Sequence, residues 1–336
     1  MVEMAKASVC VIIAAKNAAD TIGMAVASAL REKQVAEVVV IDDGSADGTA
    51  SAARAVDDGS SRLNVVSFEK NRGPSAARNH AIEISTAPLI SILDADDFFF
   101  EGRFDRMLAN DDWDFVADNI AFVEAETVTR APQQLDHFLD RPVFLDLVAF
   151  VDGNISKRGV RRGEIGFLKP VMRRAFLDAH RLRYREEMRL GEDYDLYVRA
   201  LANGARYKVI HSCGYGAVVR GNSLSGSHRT EDLRKLYEAD RAILANCSLT
   251  PQAAAAVRRH ESHARGKYEL RHFLDIKKKS GAGAALRYAL THPFAVPAIA
   301  GGIFMDKTER FRSPGGVEIA TQGAGGLRYL LPSSAE

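Results

Sequence analysis

Strand-like apolar runs and helical stripes alternate through the first hundred residues. Ser8–Ala14 is a continuous apolar run, the pattern of a strand buried on both faces. From Ala18 to Glu32 the spacing turns helical, with Ile22, Val26, Ala29 and Leu30 on one face. Val38–Ile41 reads as a second buried strand, stopped by Asp42-Asp43-Gly44-Ser45. An alanine-rich helix over Thr49–Val56 and a third strand over Leu63–Phe68 follow. Pro74–Glu83 reads as a helix whose proline suits its first turn, and Leu89–Leu93 as a fourth strand. Four strand–helix units in a row predict an α/β fold, a mainly parallel sheet with helices on both faces. Ligands of such sheets bind beyond the carboxyl ends of the strands. The polar clusters Lys16-Asn17, Asp42-Asp43, Asn71-Arg72-Gly73 and Asp94–Asp97 occupy those ends.

Beyond residue 100 the pattern is mixed. Trp113–Ala117, Ala121–Glu124, Tyr207–Ile210 and Gly214–Arg220 read as short strands. Phe144–Phe150 and Asp193–Asn203 read as helices, the second closed by Gly204, and Gly166–Ala179 as a strand–helix junction. After about residue 228 the chain turns helical, over Thr230–Ala245 and Pro251–Phe273. Arg258–Lys279 carries eight Lys or Arg against three acids, and the apolar stretch Ala284–Met305 follows, interrupted by Arg287, His292 and two prolines. Two readings stay open for this region: a helical appendage with a solvated basic face, or a tail that lies in a membrane interface. Gly315–Glu336 is rich in Gly and Ser and reads as a flexible tail. The expected division is a catalytic domain over 1–228, with a nucleotide half to about residue 100 and an acceptor half after it. A helical region over 229–312 and the tail over 313–336 complete it.

Composition adds exclusions. The 336 residues are 46% hydrophobic and 26% charged, which is ordinary globular make-up. With 45 Lys and Arg against 44 Asp and Glu, the formal net charge is +1, so bulk electrostatics do not favour nucleic acid. Cys10, Cys213 and Cys247 form no C-x-x-C pair, which argues against a zinc site or a disulfide framework and for a reducing, cytoplasmic setting. No uncharged apolar stretch is long enough for a spanning helix, and Val9–Ala15 is too short for a signal-peptide core.

Five segments carry candidate chemistry. In Leu93-Asp94-Ala95-Asp96-Asp97, three carboxylates follow a buried strand. Clustered carboxylates stay ionised together when a cation lies between them, and oxygen-only ligands suit Mg²⁺ or Mn²⁺. Asp42 and Asp43 can accept hydrogen bonds from a base or a ribose, and Gly44 permits a tight turn; the plain alternative is a strand-to-helix turn with caps. Arg78, about a turn into its helix, can reach a diphosphate, or can be a solvated surface cation. Glu192 and Asp193 open a helix, where acids complement the dipole or serve as a general base. Arg220, in Val219–Ser225, can clamp phosphate or lie in a plain loop.

Together these segments resemble the inverting family 2 glycosyltransferases of the GT-A fold. The matching stretches are VIIAAKNAADTI, VVVIDDGSADGT, NRGPSAARNHAI, ISILDADD and GEDYDLYVRAL, in that order over about residues 8 to 225. GFLKPVMRRAFL and VVRGNSLS are similar to the bacterial exopolysaccharide subgroup, especially the succinoglycan glucosyltransferases of the ExoO type. The resemblance implies that Asp43 holds the base of a nucleoside diphosphate sugar, with Asp42 nearby and Lys16, Asn17, Ala95 and Arg220 lining the donor site. It implies that Asp94 contacts ribose or metal, and that Asp96, beside Asp97, binds the Mn²⁺ or Mg²⁺ that bridges the diphosphate. Arg78 steadies the diphosphate, and Asp193, oriented by Glu192, is the base. The segment Ala14-Ala15-Lys16-Asn17 departs from the family's usual Pro or Thr and Tyr before the first Asn, which leaves the nucleoside contacts of that loop open. A Q-x-x-R-W motif and the membrane helices of processive relatives are missing, which implies addition of a single sugar. The implied donor is UDP-glucose and the implied acceptor a saccharide, polyprenyl-diphosphate-linked, at the cytoplasmic face of the inner membrane. The alternative is a non-catalytic sugar-nucleotide-binding or scaffold relative. A D-x-D phosphatase is disfavoured by Asp97-Phe98 after the motif, and a dinucleotide enzyme by the lack of G-x-G-x-x-G after the first strand.

Overall fold

Seven apolar residues, Val9–Ala15, form β1 at the centre of the sheet, and all but one are buried. The computed structural model describes residues 8–130, 142–156, 164–219, 229–311 and 327–331. Helix α1 (Ile22–Leu30) follows, then β2 (Val35–Asp42), α2 (Thr49–Arg54), β3 (Leu63–Ser67), α3 (Pro74–Ile84) and β4 (Leu89–Ile92). The four strands pair in parallel, as the apolar runs predict, and their order is β3-β2-β1-β4. Their carboxyl ends therefore bring residues 16–17, 42–45, 71–73 and 94–97 to one edge of the sheet. The core here is aliphatic: Val9, Val11, Ile12, Ile13, Val38, Val40, Ile41 and Ile90 are fully buried.

The second half of the sheet is mixed. It uses β5 (Phe98–Phe99), α4 (Arg103–Met107), β6 (Phe115–Glu124), β7 (Val143–Leu145), α5 (Leu147–Asp152), β8 (Val171–Arg173), α6 (Arg174–Ala179), α7 (Glu192–Ala202) and β9 (Tyr207–Val219). Strand β8 inserts antiparallel between β4 and β6, and β9 pairs in parallel with β6. Two pairs of expected short strands are thus two long ones. Each contains an internal polar or glycine break that the pattern read as a gap. In β6 the break is Asp118-Asn119, where the register slips. Asp118 is buried against Arg103 of α4, whose Nη2 lies 2.8 Å from Oδ1. Burial pushes the Asp118 carboxyl up even with that partner. A Cβ at Gly214 of β9 would overlap Arg103, so glycine is required for this approach. The expected helix over 144–150 is a strand, β7, followed by α5 with Asp146 as its N-cap.

Arg103→Met leaves Asp118 a buried, unpaired carboxylate. The expected loss of stability is about 3–5 kcal/mol, read by urea unfolding. A loss below about 1 kcal/mol would show that the pair is not a major contributor.

The C-terminal stretch adds a strand to the sheet. Arg328–Tyr329 forms β10, antiparallel to β6, and Tyr329 joins a cluster with Phe98, Phe100, Val123 and Cys213. The Asn119 side chain bonds the backbone of Leu331 in both directions, at 2.8 and 3.1 Å. Tyr329 and Leu330 are buried. Contact patterns divide the chain into one unit of Met1–Ser223 with Ala320–Glu336, and a second of Leu224–Ile319. The second unit holds α8 (Thr230–Asn246), the long α9 (Pro251–Thr291) and α10 (Val296–Phe311). No helix among the described residues is long and apolar enough to cross a membrane. The three cysteines are free thiols, with Cys10 and Cys213 buried.

Candidate active site

The loops after β1 and β2 are laced together. Asn17 takes a left-handed backbone conformation, with φ of 49°. Its N–H donates to Ser45 Oγ at 2.9 Å, and its Oδ1 accepts from the Ala46 N–H at 2.9 Å. Lys16 Nζ donates to the Gly44 carbonyl. Asp42 Oδ1 accepts from the Ser45 N–H at 3.0 Å. Asp43, at 3% exposure, accepts from the N–H groups of Arg72 and Gly73 at 2.6 and 2.9 Å. Its carboxylate thus draws the loop after β3 onto the end of β2. At Gly44, φ is +66° and a Cβ would stand 2.9 Å from the Asn71 nitrogen. The two acids shape this corner of the crevice by fixing its backbone.

Beside it lies a cluster of two buried cations, Arg78 and Lys169, and three carboxylates, of which Asp193 is buried and Asp94 and Glu192 are partly exposed. Arg78 of α3 is 5% exposed. Its Nη1 lies 2.9 Å from Glu192 Oε1 and 3.4 Å from Asp193 Oδ1, and its Nη2 lies 3.1 Å from Asp94 Oδ1. Lys169 Nζ lies 2.9 Å from Asp193 Oδ2 and 3.0 Å from Asp94 Oδ2. Burial opposes the charge on Asp94, but Lys169 and Arg78 overcome it and hold its carboxyl at about 2. Burial likewise opposes charge on Arg78 and Lys169. The carboxylates of Asp193 and its neighbours reverse that and raise both groups above their usual range. Asp94, Arg78 and Lys169 are therefore held in their charged forms, and Asp193 is gripped on both oxygens. Tyr184 stacks near the guanidinium, 5.3 Å from ring centroid to Arg78 Cζ. The remaining acid of the α7 first turn, Asp195, goes elsewhere: it pairs with Arg185 and Arg199 at 3.1 and 2.6 Å.

The acidic turn after β4 splits into three roles. Asp94 belongs to the ionic cluster. Ala95 is buried, and Asp96 is exposed. Asp97 is buried; Tyr215 Oη donates to its Oδ2 at 2.7 Å and the Val218 N–H to its Oδ1 at 2.8 Å. Burial and the charges of Asp94 and Asp96 push the Asp97 carboxyl up to about 8. Asp97 thus braces the turn against β9. The three carboxylates therefore have different surroundings. Asp94 is taken by two protein cations, Asp97 by β9, and no group of three His, Cys, Asp or Glu converges on a metal position among the described residues. This arrangement fits a divalent ion held by one or two carboxylates and by substrate phosphate, the usual way Mg²⁺ is bound, and does not fit an all-protein cage.

Sequence reasoning found Arg78, Asp94, Glu192 and Asp193, and the structure brings all four together. It missed Lys169, Tyr184 and Tyr215. Lys169 had a legible signal: a lysine between Phe167-Leu168 and Pro170-Val171 sits where a cation is rarely buried unless paired. Arg220 lies outside the described residues.

The family model described as Glycosyl transferase family 2 matches residues 10–178, half of the chain. The chain belongs to glycosyltransferase family 2. This glycosyltransferase is 67% identical over 336 residues to succinoglycan biosynthesis protein ExoU of Rhizobium meliloti, across 100% of this chain and 98% of that protein. To succinoglycan biosynthesis protein ExoO of the same organism it is 36% identical, across 85% of this chain and 82% of that one. The fold is shared with S. aureus TarS in complex with UDP-GlcNAc, at a TM-score of 0.57 and 19% identity, covering 87% of this chain and 79% of that one. It is also shared with a mannosyltransferase of Pyrobaculum calidifontis in complex with GDP-Man and Mn²⁺, at a TM-score of 0.52 and 19% identity, covering 91% and 81%. The GT-A architecture implied by the resemblance is the one observed.

Proposed function

We propose that this glycosyltransferase moves one glucose from UDP-glucose to a hydroxyl of a saccharide carried on a polyprenyl diphosphate, with inversion at the anomeric carbon. The pathway we assign is assembly of a succinoglycan-type exopolysaccharide at the cytoplasmic face of the inner membrane. The observation that carries the reading is the convergence of Arg78 and Lys169 on Asp193, beside the acidic turn at the carboxyl end of β4. Support for the pathway comes from the two succinoglycan proteins, which align over most of the chain. Support for a nucleotide donor comes from the two solved structures, whose ligands are UDP-GlcNAc and GDP-Man. Glucose and UDP rest on the subgroup resemblance.

In the reaction, Asp193 accepts the proton of the acceptor hydroxyl as its oxygen attacks the anomeric carbon. The bond to the diphosphate breaks on the opposite face, and the nucleoside diphosphate leaves with the bonding pair. Lys169 and Arg78 hold Asp193 in one place, which supplies the orientation general base catalysis needs. Taking up the proton cancels the Asp193 charge. That leaves the two cations under-compensated as negative charge builds on the leaving group, a preorganised electrostatic contribution. Glu192 keeps Arg78 oriented. A divalent ion, Mn²⁺ or Mg²⁺, held by Asp96 with Asp94 close by, would supply further charge neutralisation at the diphosphate.

Thermal shift against UDP, GDP, dTDP and CMP sugars, with and without Mn²⁺, tests the donor. UDP-glucose at about a hundred times its Kd is expected to stabilise the protein by about 2.7 kcal/mol. A shift with GDP-mannose and none with UDP-glucose would contradict the donor, and no shift with any would favour a scaffold. Lys169→Met removes one of the two cations on Asp193. Transfer is expected to fall by roughly 10²–10³, with partial recovery in Lys169→Arg, measured as nucleoside diphosphate release. Near wild-type transfer would remove Lys169 from the mechanism.

A further inference from the structure

None of the site residues named above lies in the helical unit, and its stretch around Gly281 is built in an unusual way. Helix α9 is broken at Gly281, where φ is 85° and ψ is 171°. The segment after the break folds back on the one before it. Tyr288 Oη donates to Glu269 at 2.6 Å, and its ring meets His272 at 5.0 Å and His292 at 4.3 Å between centroids. A Cβ at Gly302 of α10 would overlap Leu270, so α10 packs on the same stretch. The inner face of this hairpin is buried through Ala285, Ala295 and Ile299.

The outer face is apolar as well. Leu286 is 60% exposed, Leu290 74%, Phe294 88% and Phe304 70%. Leu286 and Leu290 stand one helical turn apart, on one side of the helix. Ordinary surface helices turn charge outward here. Charge is present instead at the tip and flank: Lys277, Lys278, Lys279 and Arg287 are all exposed. Between Asp275 and Asp306 there is no acidic side chain.

We infer that the outer face of this hairpin docks on an anionic lipid bilayer, with Leu286, Leu290 and Phe294 entering the headgroup–acyl boundary and Lys277, Lys278, Lys279 and Arg287 among the anionic headgroups. The combination of exposed apolar side chains with a positive rim is what such an interface accommodates. A second copy of the chain would bring the same positive rim against itself, so charge disfavours self-association there. The docking mode is interfacial and not spanning. It rests on the proposed function only in giving the bilayer a purpose, since a lipid-linked acceptor lies at that surface.

The test is flotation of the full chain with phosphatidylcholine vesicles, with and without phosphatidylglycerol. Two variants are compared with the wild type: Leu286→Ser/Leu290→Ser/Phe294→Ser and Lys277→Gln/Lys278→Gln/Lys279→Gln. All substituted side chains are exposed, and circular dichroism checks the fold. The wild type is expected to float with the anionic vesicles only, and less at high salt. The lysine variant should partition roughly 100-fold more weakly, from a factor of about five per charge. The serine variant should lose binding as well. Absence of wild-type binding, or equal binding by all three proteins, would overturn the inference. So would a dimer of the wild type in light scattering that the serine variant abolishes while vesicles bind neither. Donor turnover with water as acceptor, measured without vesicles, separates this from the proposed function. Both variants should keep it, so lost flotation with intact turnover concerns the hairpin alone. Absent turnover with intact flotation concerns the catalytic reading alone.

Discussion

Asp193→Asn is expected to bind the sugar nucleotide as the wild type does and to transfer sugar 10²–10⁴-fold more slowly, about 3–5 kcal/mol in the barrier. The amide keeps the shape of the carboxylate and still accepts from Lys169 Nζ, which lies 2.9 Å from Asp193 Oδ2. It cannot take the acceptor proton. Asp94 and Glu192 remain to balance Arg78 and Lys169, so the fold should survive. The measurement is a single-turnover rate with donor affinity determined separately. A rate within a few-fold of wild type would assign the base to another residue. A large loss of donor affinity with the rate per bound donor unchanged would make Asp193 a binding group.

Asp96→Ala is expected to abolish metal-dependent nucleotide binding and to lower transfer by on the order of 10³. Asp96 is the exposed carboxylate of this turn. Its removal should therefore leave stability within about 0.5 kcal/mol of wild type. Titration of UDP affinity against Mn²⁺ reads the effect directly. The wild type should tighten with Mn²⁺ and the variant should not. If the variant responds to Mn²⁺ as the wild type does, the ion is held elsewhere.

The parallel half of the fold was legible because its strands are continuous apolar runs, and burial on both faces leaves few other ways to place them. Strands β6 and β9 were read as fragments, since Asp118-Asn119 and Gly214 interrupt the hydrophobic signal. Those residues are interior for reasons no local window carries: an ion pair to Arg103 and room for its side chain. Residues 328–331 were hidden by the Gly- and Ser-rich tail around them, although Tyr329 pairs with β6 and both Tyr329 and Leu330 are buried. In the site, the acids were legible from their positions at strand and helix ends. Their division of labour was not. Whether a carboxylate faces a cation, a backbone N–H or solvent depends on Lys169 and Tyr215, which lie 75 and 121 residues from Asp94 in sequence.

The central claim is inverting transfer with Asp193 as the base, and time-resolved proton NMR of UDP-glucose turnover in the presence of Mn²⁺ tests it most directly. With water as acceptor, the first sugar released should be the β anomer, appearing before mutarotation, and Asp193→Asn should release it far more slowly. An α anomer appearing first, or equal rates from the two proteins, would contradict the account.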